Sequence, residues 1–315
     1  MKKLILSSFA IVLCASLLAQ TGTNLRMNLE KNKVYRFRST SAQTITQSIN
    51  GNQQTVDSKS DYTMSLKMID ATPDFMITEV HIDTMKTSTN SMGQASNMSS
   101  AVEGNVKSTV MGDVMSYFMN RFCKNALYVK MDFTGKPIEI VNSKMLSEMV
   151  LKDTGSIALT GPMALGVKKQ VISMVSDNAM KTLIQMFTNF LPAKPLAGGD
   201  SWNINTNMSS GGMQLVINTT YHLDGINGDL ASVSTVSEIK PAENAEPIVS
   251  GPAKVTYDDL KGISKASLII DTKTGLLTEN KGKTHITGNL GVTAPGMSMQ
   301  MPMDINGESK IIAIK

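Results

Sequence analysis

Apolar and polar side chains alternate with a period of two in the first and last thirds of the chain, and recur at steps of three and four in between. In "VYRFRSTSAQTITQSI", Tyr35, Phe37, Ile45 and Ile49 share one parity and Arg36, Arg38, Thr44 and Thr46 the other, as in a half-buried strand. Asn50-Gly51-Asn52 signals a turn. "DYTMSLKMID" repeats the alternation, and Thr72-Pro73-Asp74 leads into "FMITEVHIDTM", so three successive antiparallel strands are expected. Residues 88 to 110 are rich in Ser, Asn and Gly, carry no period and predict a loop.

Helical spacing then takes over. Met111, Val114, Met115, Phe118, Met119 and Phe122 fall on one helix face, and "DFTGKP" (132 to 137) reads as a short hairpin. "SKMLSEMVLK", with Ser143 as N-cap, predicts a further helix, and two more are expected between about 163 and 190. In the last, Ser176 caps a helix whose apolar face is Met180, Leu183, Ile184, Phe187 and Leu191. "LPAKPLAGGD" ends the helical block.

Beyond it, "MQLVINTTYHL" sets Met213, Leu215, Ile217, Tyr221 and Leu223 on one strand face, and "INGD" turns the chain into "LASVSTVSEI". Residues 240 to 263, with three prolines, predict a long loop. "ASLIIDTKTGLL", "THITGNLGV", "MSMQMPMDI" and "KIIAI" supply the remaining strands. No βαβ rhythm occurs, so the expected class is α+β: a large curved antiparallel sheet with a central helical insert. The spacing of Leu66, Met68, Asp74 and Met76 returns in Tyr221, Leu223, Asp229 and Ala231, which leaves open whether the two β halves are related. The expected division is a leader at 1–19, an N-terminal β part at 20–110, a helical insert with a hairpin at 111–195 and a C-terminal β part at 196–315, in one compact unit.

The leader changes the picture of where the chain works. Lys2 and Lys3 precede an apolar run from Leu4 to Leu18 closed by Ala19-Gln20, the pattern of a secretory signal peptide cut between Ala19 and Gln20. Leu13 stands before Cys14 where a lipid-attachment signal needs a small residue. No later stretch is long and apolar enough for a transmembrane helix. An exported protein, periplasmic, outer-membrane associated or secreted, is therefore expected. Setting Lys2 and Lys3 aside leaves 28 cationic against 26 anionic residues, and aromatics make up 5%, so nucleic acid is not an expected partner. Beyond the leader Cys123 is the sole cysteine, which excludes an internal disulfide and a Cys-based zinc site, and its Phe and Met neighbours predict a packed residue.

Little else resembles catalytic chemistry. Ser201 in "GGDSW" has the Gly-Asp-Ser of some esterases without their downstream Asp-x-x-His. His81 with Asp83, and His222 with Asp224, are i, i+2 pairs that could each give two metal ligands, and read more simply as solvated strand faces. No catalytic residue, metal site or cofactor is assigned. Besides Met1 there are 23 methionines, side chains that adapt to varied apolar partners. Met297, Met299, Met301 and Met303 line one face of "GMSMQMPMDI", spread over roughly 20 Å, too far apart for one ion. Pro302, on the other parity, marks an edge or bulge.

The leader ending in Ala-Gln, "LEKNKVYRFR", "GKPIEI", "GGDSW", "IIDTKTGLL" and "MPMDI" together resemble a family of exported β-rich proteins of unknown function from Bacteroidota. The resemblance implies no activity and no catalytic residues. Asp83-Thr84-Met85 is similar to the short O-glycosylation acceptor motif of that phylum. The architecture is also similar, distantly, to envelope lipoprotein-carrier folds. Three readings of function stand: a non-enzymatic envelope protein binding a lipid or other hydrophobic small molecule along an apolar face (Met297, Met299, Met301, Met303, Met213, Leu215, Ile217, Tyr221); a structural or interaction module without ligand; and Met-based copper binding, since thioethers are soft ligands for Cu(I).

Overall fold

The computed structural model describes residues 22–49, 51–210, 212–250, 253–257 and 259–314; the expected leader, with Ala19 and Gln20 at its expected cleavage point, lies outside them. The N-terminal part gives strands β1 (Val34–Ile49), β2 (Asn52–Ala71), β3 (Met76–Ser91) and β4 (Gln94–Ser99). The middle part gives α1 (Met111–Cys123), β5 (Leu127–Met131), β6 (Pro137–Ile140), α2 (Ser143–Leu151), α3 (Gly161–Met174) and α4 (Asp177–Thr188). The rest gives β7 (Ser201–Ser210), β8 (Met213–Asn227), β9 (Leu230–Pro241), β10 (Ile248–Ser250), β11 (Ala253–Thr256), β12 (Lys261–Asp271), β13 (Leu277–Ala294) and β14 (Met297–Ile314).

All strands join one antiparallel sheet in the order β6-β5-β3-β2-β1-β14-β13-β12-β9-β8-β7, with β4 beside β3 and the β10–β11 hairpin beside β13. Three meanders, β1-β2-β3, β12-β13-β14 and β7-β8-β9, lie side by side and run in the same sense, and the segments of similar spacing, β2–β3 and β8–β9, hold matching places in two of them. Among the described residues the end strands β6 and β7 do not pair, so the sheet is open. It is also strongly curled, because Lys86 of β3 and Thr235 of β9, six ladder steps apart, bound the same hollow.

The inner face is apolar at both ends. At one end the helical insert fills the curl: Phe118 and Phe122 of α1, Leu146 and Val150 of α2, Val167 and Val171 of α3, and Ile184 and Phe187 of α4 pack on Phe37, Met64, Leu66, Val233, Leu268 and Ile270. Phe37 and Phe187 meet with ring centroids 6.3 Å apart. Each such side chain contributes about 1.5–3 kcal/mol by leaving water. At the other end Tyr257 and Leu260 fold over Leu290 and Met303, with Ile45, Met213, Ile248, Met301 and Ile305 around them. The Tyr257 hydroxyl accepts from Gln214 N at 2.9 Å and donates to Glu246 O at 3.1 Å, which ties this closing segment to β8.

Several local expectations are corrected. Residues 88 to 110 are not all loop: β3 continues to Ser91, and β4 pairs back on it from Lys86 to Ser91. This is possible because cross-strand bonds need only backbone groups, so polar Ser and Asn strands pair without an apolar face. The segment from 240 to 263 contains β10 and β11, and β12 already begins at Lys261. "MSMQMPMDI" and "KIIAI" form one strand, β14, through Asn306 and Gly307. Ser143 is the first residue of α2 rather than its cap; Asn142 precedes it and uses its side chain to accept from Tyr128 N and donate to Ala126 O. Ser176 does cap α4, accepting from Ala179 N at 3.2 Å. The hairpin at "DFTGKP" forms between β5 and β6, with Gly135 at φ 86° and its carbonyl accepting from Thr188 Oγ1 at 2.6 Å. The ladder between β14 and β1 stops at Met303, next to Pro302, which has no N–H to extend it.

Candidate functional site

The register places Ser60, Ser41, Ser309, Gly282, Ala266 and Thr235 in one row across β2, β1, β14, β13, β12 and β9. The next row on the same face is Ser58, Gln43, Gly307, Thr284, Ser264 and Ser237. On the helix side these rows are flanked by Tyr62, Ser39, Ile311, Asn280, Leu268 and Val233, and on the far side by Val56, Ile45, Ile305, Ile286, Gly262 and Ile239. Side chains therefore shrink in mid-sheet, and the inner face is hollow there. Two adjoining hollows of about 1130 and 1050 Å³ lie over the two rows and share Lys59, Lys265, Lys283 and Glu308. Together they make one open trough, on the scale of sites that hold organic ligands.

The trough floor is polar and mostly self-satisfied. Ser41 Oγ and Ser60 Oγ are 2.7 Å apart, Thr284 Oγ1 donates to Ser264 Oγ at 2.8 Å, and Ser264 Oγ donates to Lys283 O at 3.2 Å. Ser237 Oγ and Thr219 Oγ1 are 2.9 Å apart. Neither floor row carries an ionisable side chain, but the residues that alternate with them along the strands do, and Lys59, Asp61, Lys265 and Lys283 are among those that border the hollows. Towards β7 the row ends in Tyr221, stacked on Trp202 with centroids 5.1 Å apart and planes 13° apart. Trp202 Nε1 donates to Phe190 O at 3.1 Å, and burial pushes the Tyr221 hydroxyl pKa up to about 12. One loose end lies beside the floor: Asn280 Oδ1 is buried and accepts no hydrogen bond.

The apolar residues singled out by sequence share this inner face but are divided. Met301, Met303 and Met213 pack in the far cluster, and Gln47 Nε2 donates to Met303 Sδ at 3.8 Å. Leu215 is buried, Ile217 is half-buried opposite Ile239, and Tyr221 closes the trough row. Met297, 49% exposed, and half-buried Met299 sit on the projecting end of the β13–β14 hairpin. The floor residues themselves escaped sequence reading because Ser, Thr and Gly on a strand read as a solvated face.

Of the polar candidates, the structure brings Ser201 and His222 together: Oγ and Nδ1 are 3.0 Å apart, and His222 Nε2 is 4.0 Å from Asp224 Oδ1. All three are exposed on the outer face, away from the trough, and Asp224 accepts from Ser234 Oγ at 2.8 Å. His81 and Asp83 are separated in role, because a bulge opposite Thr63 and Met64 displaces Asp83. His81 Nε2 is 3.0 Å from Glu79 Oε1, while Asp83 accepts from Ser65 Oγ. Thr84 is exposed within β3. Cys123 is half-buried, and burial raises its thiol pKa to about 11. Among the described residues no group of three His, Cys, Asp or Glu is placed to hold a metal, and no helix is long and apolar enough to cross a membrane.

Comparison with solved structures gives only slight likenesses. An outer membrane channel of the COG4313 group from Pseudomonas putida F1 is 7% identical, with 91% of this chain and 97% of that one covered and a TM-score of 0.26. OccK11 (OpdR) from Pseudomonas aeruginosa is 6% identical, with 91% and 99% covered and a TM-score of 0.22. A DUF1329 family protein from Desulfovibrio piger is 7% identical, with 86% and 83% covered and a TM-score of 0.11. At TM-scores this low nothing about this chain follows from them. No curated protein matches the sequence. A family match is found over residues 73–277, from the end of β2 to the start of β13, and by it the chain belongs to a family of unknown function, DUF6263.

Proposed function

We propose that this is an exported, non-enzymatic binding protein of the cell envelope that holds an elongated hydrophobic small molecule, such as a lipid, in the trough. The observation that carries the reading is the inversion of side-chain size along the strands. The inner face is large and apolar at both ends and small in mid-sheet, so that about 1130 Å³ stays unfilled in a fold that otherwise packs its interior. Floor hydroxyls bonded to one another ask little of a ligand in polar contacts, which favours an apolar chain over a sugar or nucleotide. The leader pattern supports export.

Native mass spectrometry of protein purified from the envelope tests this. A bound species that is released on denaturation and absent from the Gly307→Leu variant is the expected result. Gly307 suits this substitution because the space where its Cβ would stand meets only ordinary contacts at 3.7 Å or more. Recovery of empty protein under gentle extraction, with no uptake of added lipid, overturns the reading.

A further inference from the structure

Beyond Lys2 and Lys3 the charges of this chain nearly cancel, 28 cationic against 26 anionic residues. Around the trough they do not. The larger hollow is bordered by Lys59, Lys86, Lys265, Lys281, Lys283 and Lys310, with only Asp61 and Glu308 against them. Asp61 is already held by Arg38 through two hydrogen bonds, at 2.9 and 2.6 Å. The register sets two lysine pairs directly opposite each other, Lys265 with Lys283 and Lys281 with Lys310. Like charges so placed repel and weaken a sheet. Lys281 and Lys310 share Glu279, at 2.8 and 3.5 Å, and Lys283 holds Glu308 at 3.0 Å. Among the described residues Lys59 and Lys265 enter no ion pair, and both are exposed. The ladder places Lys59, Ala42, Glu308, Lys283 and Lys265 in one cross-strand row, between the two floor rows. Three lysines and one carboxylate therefore stand where the hollows adjoin, and all four border both.

Resting on the trough reading, we infer that the junction of the two hollows is an anion subsite formed by Lys59, Lys265 and Lys283, and that the ligand is a single-chain amphiphile with an anionic head group. Each hollow, of about 1130 and 1050 Å³, is of the size that takes one small organic molecule, which suits one chain rather than a two-chain lipid. The chain lies along a hollow, and the head group stays at the junction, on the open side. An anion there gives Lys59 and Lys265 a partner and relieves the repulsion between Lys265 and Lys283. A cleft bordered mainly by one sign of charge also concentrates ligands of the other sign. Glu308 is the resident counter-ion of Lys283, so it is the group that the head group displaces.

Titration calorimetry on the full protein with decanoate, 1-decanol, decyltrimethylammonium and inorganic phosphate separates chain from charge. Decanoate is expected to bind about tenfold more tightly than decanol, as two or three partly exposed ion pairs would give, decyltrimethylammonium more weakly than decanol, and phosphate not detectably. The double variant Lys59→Gln/Lys265→Gln should bring decanoate to the level of decanol and leave decanol unchanged. Lys107→Gln, at an exposed lysine that borders neither hollow, should change neither. Glu308→Gln should strengthen decanoate binding alone, because it removes the competing carboxylate, a gain that a merely structural Glu308 would not give. If the three chains bind alike, or the double variant keeps the preference for decanoate, the junction assignment falls and the trough stands. Phosphate binding as tightly as decanoate overturns the amphiphile and leaves only an ionic patch. Absence of binding by all four overturns both readings.

Discussion

Ser41 and Ser60 face each other across β1 and β2 with their hydroxyl oxygens 2.7 Å apart, midway between two apolar pairs of the same ladder, Phe37 with Met64 and Ile45 with Val56. The apolar pairs lie four residues away on either side, so all three pairs share the inner face. A pair of small polar groups between two large apolar ones is what keeps the trough open.

Because that hydroxyl pair shapes a hollow rather than filling a core, replacing both residues by Val should be tolerated. Urea unfolding of Ser41→Val/Ser60→Val is expected to stay within about 1 kcal/mol of the parent, since both partners of the hydrogen bond leave together. Ligand capacity should fall as the trough narrows. A loss above about 3 kcal/mol would show that the pair is a structural element of the core instead.

Phe37 and Phe187 join the sheet to the last helix of the insert, and both are buried. Truncation of either to Ala should cost about 3–5 kcal/mol in chemical unfolding. The double variant should lose less than the two single losses together, because the rings are in contact and the second truncation falls beside a space already made.

Gly135 holds φ 86° at the β5–β6 turn, and a Cβ there would lie 2.0 Å from Thr188 O. Gly135→Ala should therefore destabilise by at least about 2 kcal/mol, by forcing the hairpin tip away from the end of α4 and breaking the Thr188 Oγ1 to Gly135 O bond. Gly307→Ala, at an uncrowded strand position without that backbone demand, serves as the control in the same thermal melt.

Alkaline pH should weaken the fold. Burial raises the Cys123 thiol from its ordinary 9.0 to about 11, so the unfolded chain ionises first. No loss is expected below pH 9 from this group; stability then falls as pH rises towards 11, since the unfolded state gives up its proton while the folded state keeps it. A Cys123→Ala variant should flatten that part of the pH–stability curve. Alkylation of native Cys123 at pH 8 should likewise be slow and accelerate in denaturant.

Met301 and Met303 pack with Tyr257 and Leu260, whereas Met297 is half exposed at the hairpin end. Exchange of each for Leu should change unfolding free energy by less than about 1.5 kcal/mol, least at Met297. If copper were their purpose, the fourfold Leu variant would lose Cu(I) binding measured by competition with a chromophoric chelator; the packing role predicts the same trace for both proteins.

Much of the architecture was legible along the chain. Phe37, Met64, Leu66, Leu223 and Val233 announce their strands because a period of two requires that one face be buried, and Phe118, Phe122, Ile184 and Phe187 announce helices by the same logic at 3.6. Where both faces of a strand are polar, as in β4, that signal vanishes, and backbone pairing alone makes the strand. The same blindness hid the trough: Ser41, Ser60, Thr284 and Ser264 look like solvent-facing residues until the curl of the sheet turns them inward.

By itself, the sequence determined most of the segments that are strands and helices, and that the chain is α+β with its helices inserted between β parts. Only the tertiary structure decided which rows of side chains meet across the strands, how far the sheet curls, and that Lys59 and Lys265 border the same hollows. The reason is physical: periodicity is a local property of one segment, whereas a hollow is formed by residues hundreds of positions apart, and its shape depends on the volumes that neighbouring strands leave unfilled.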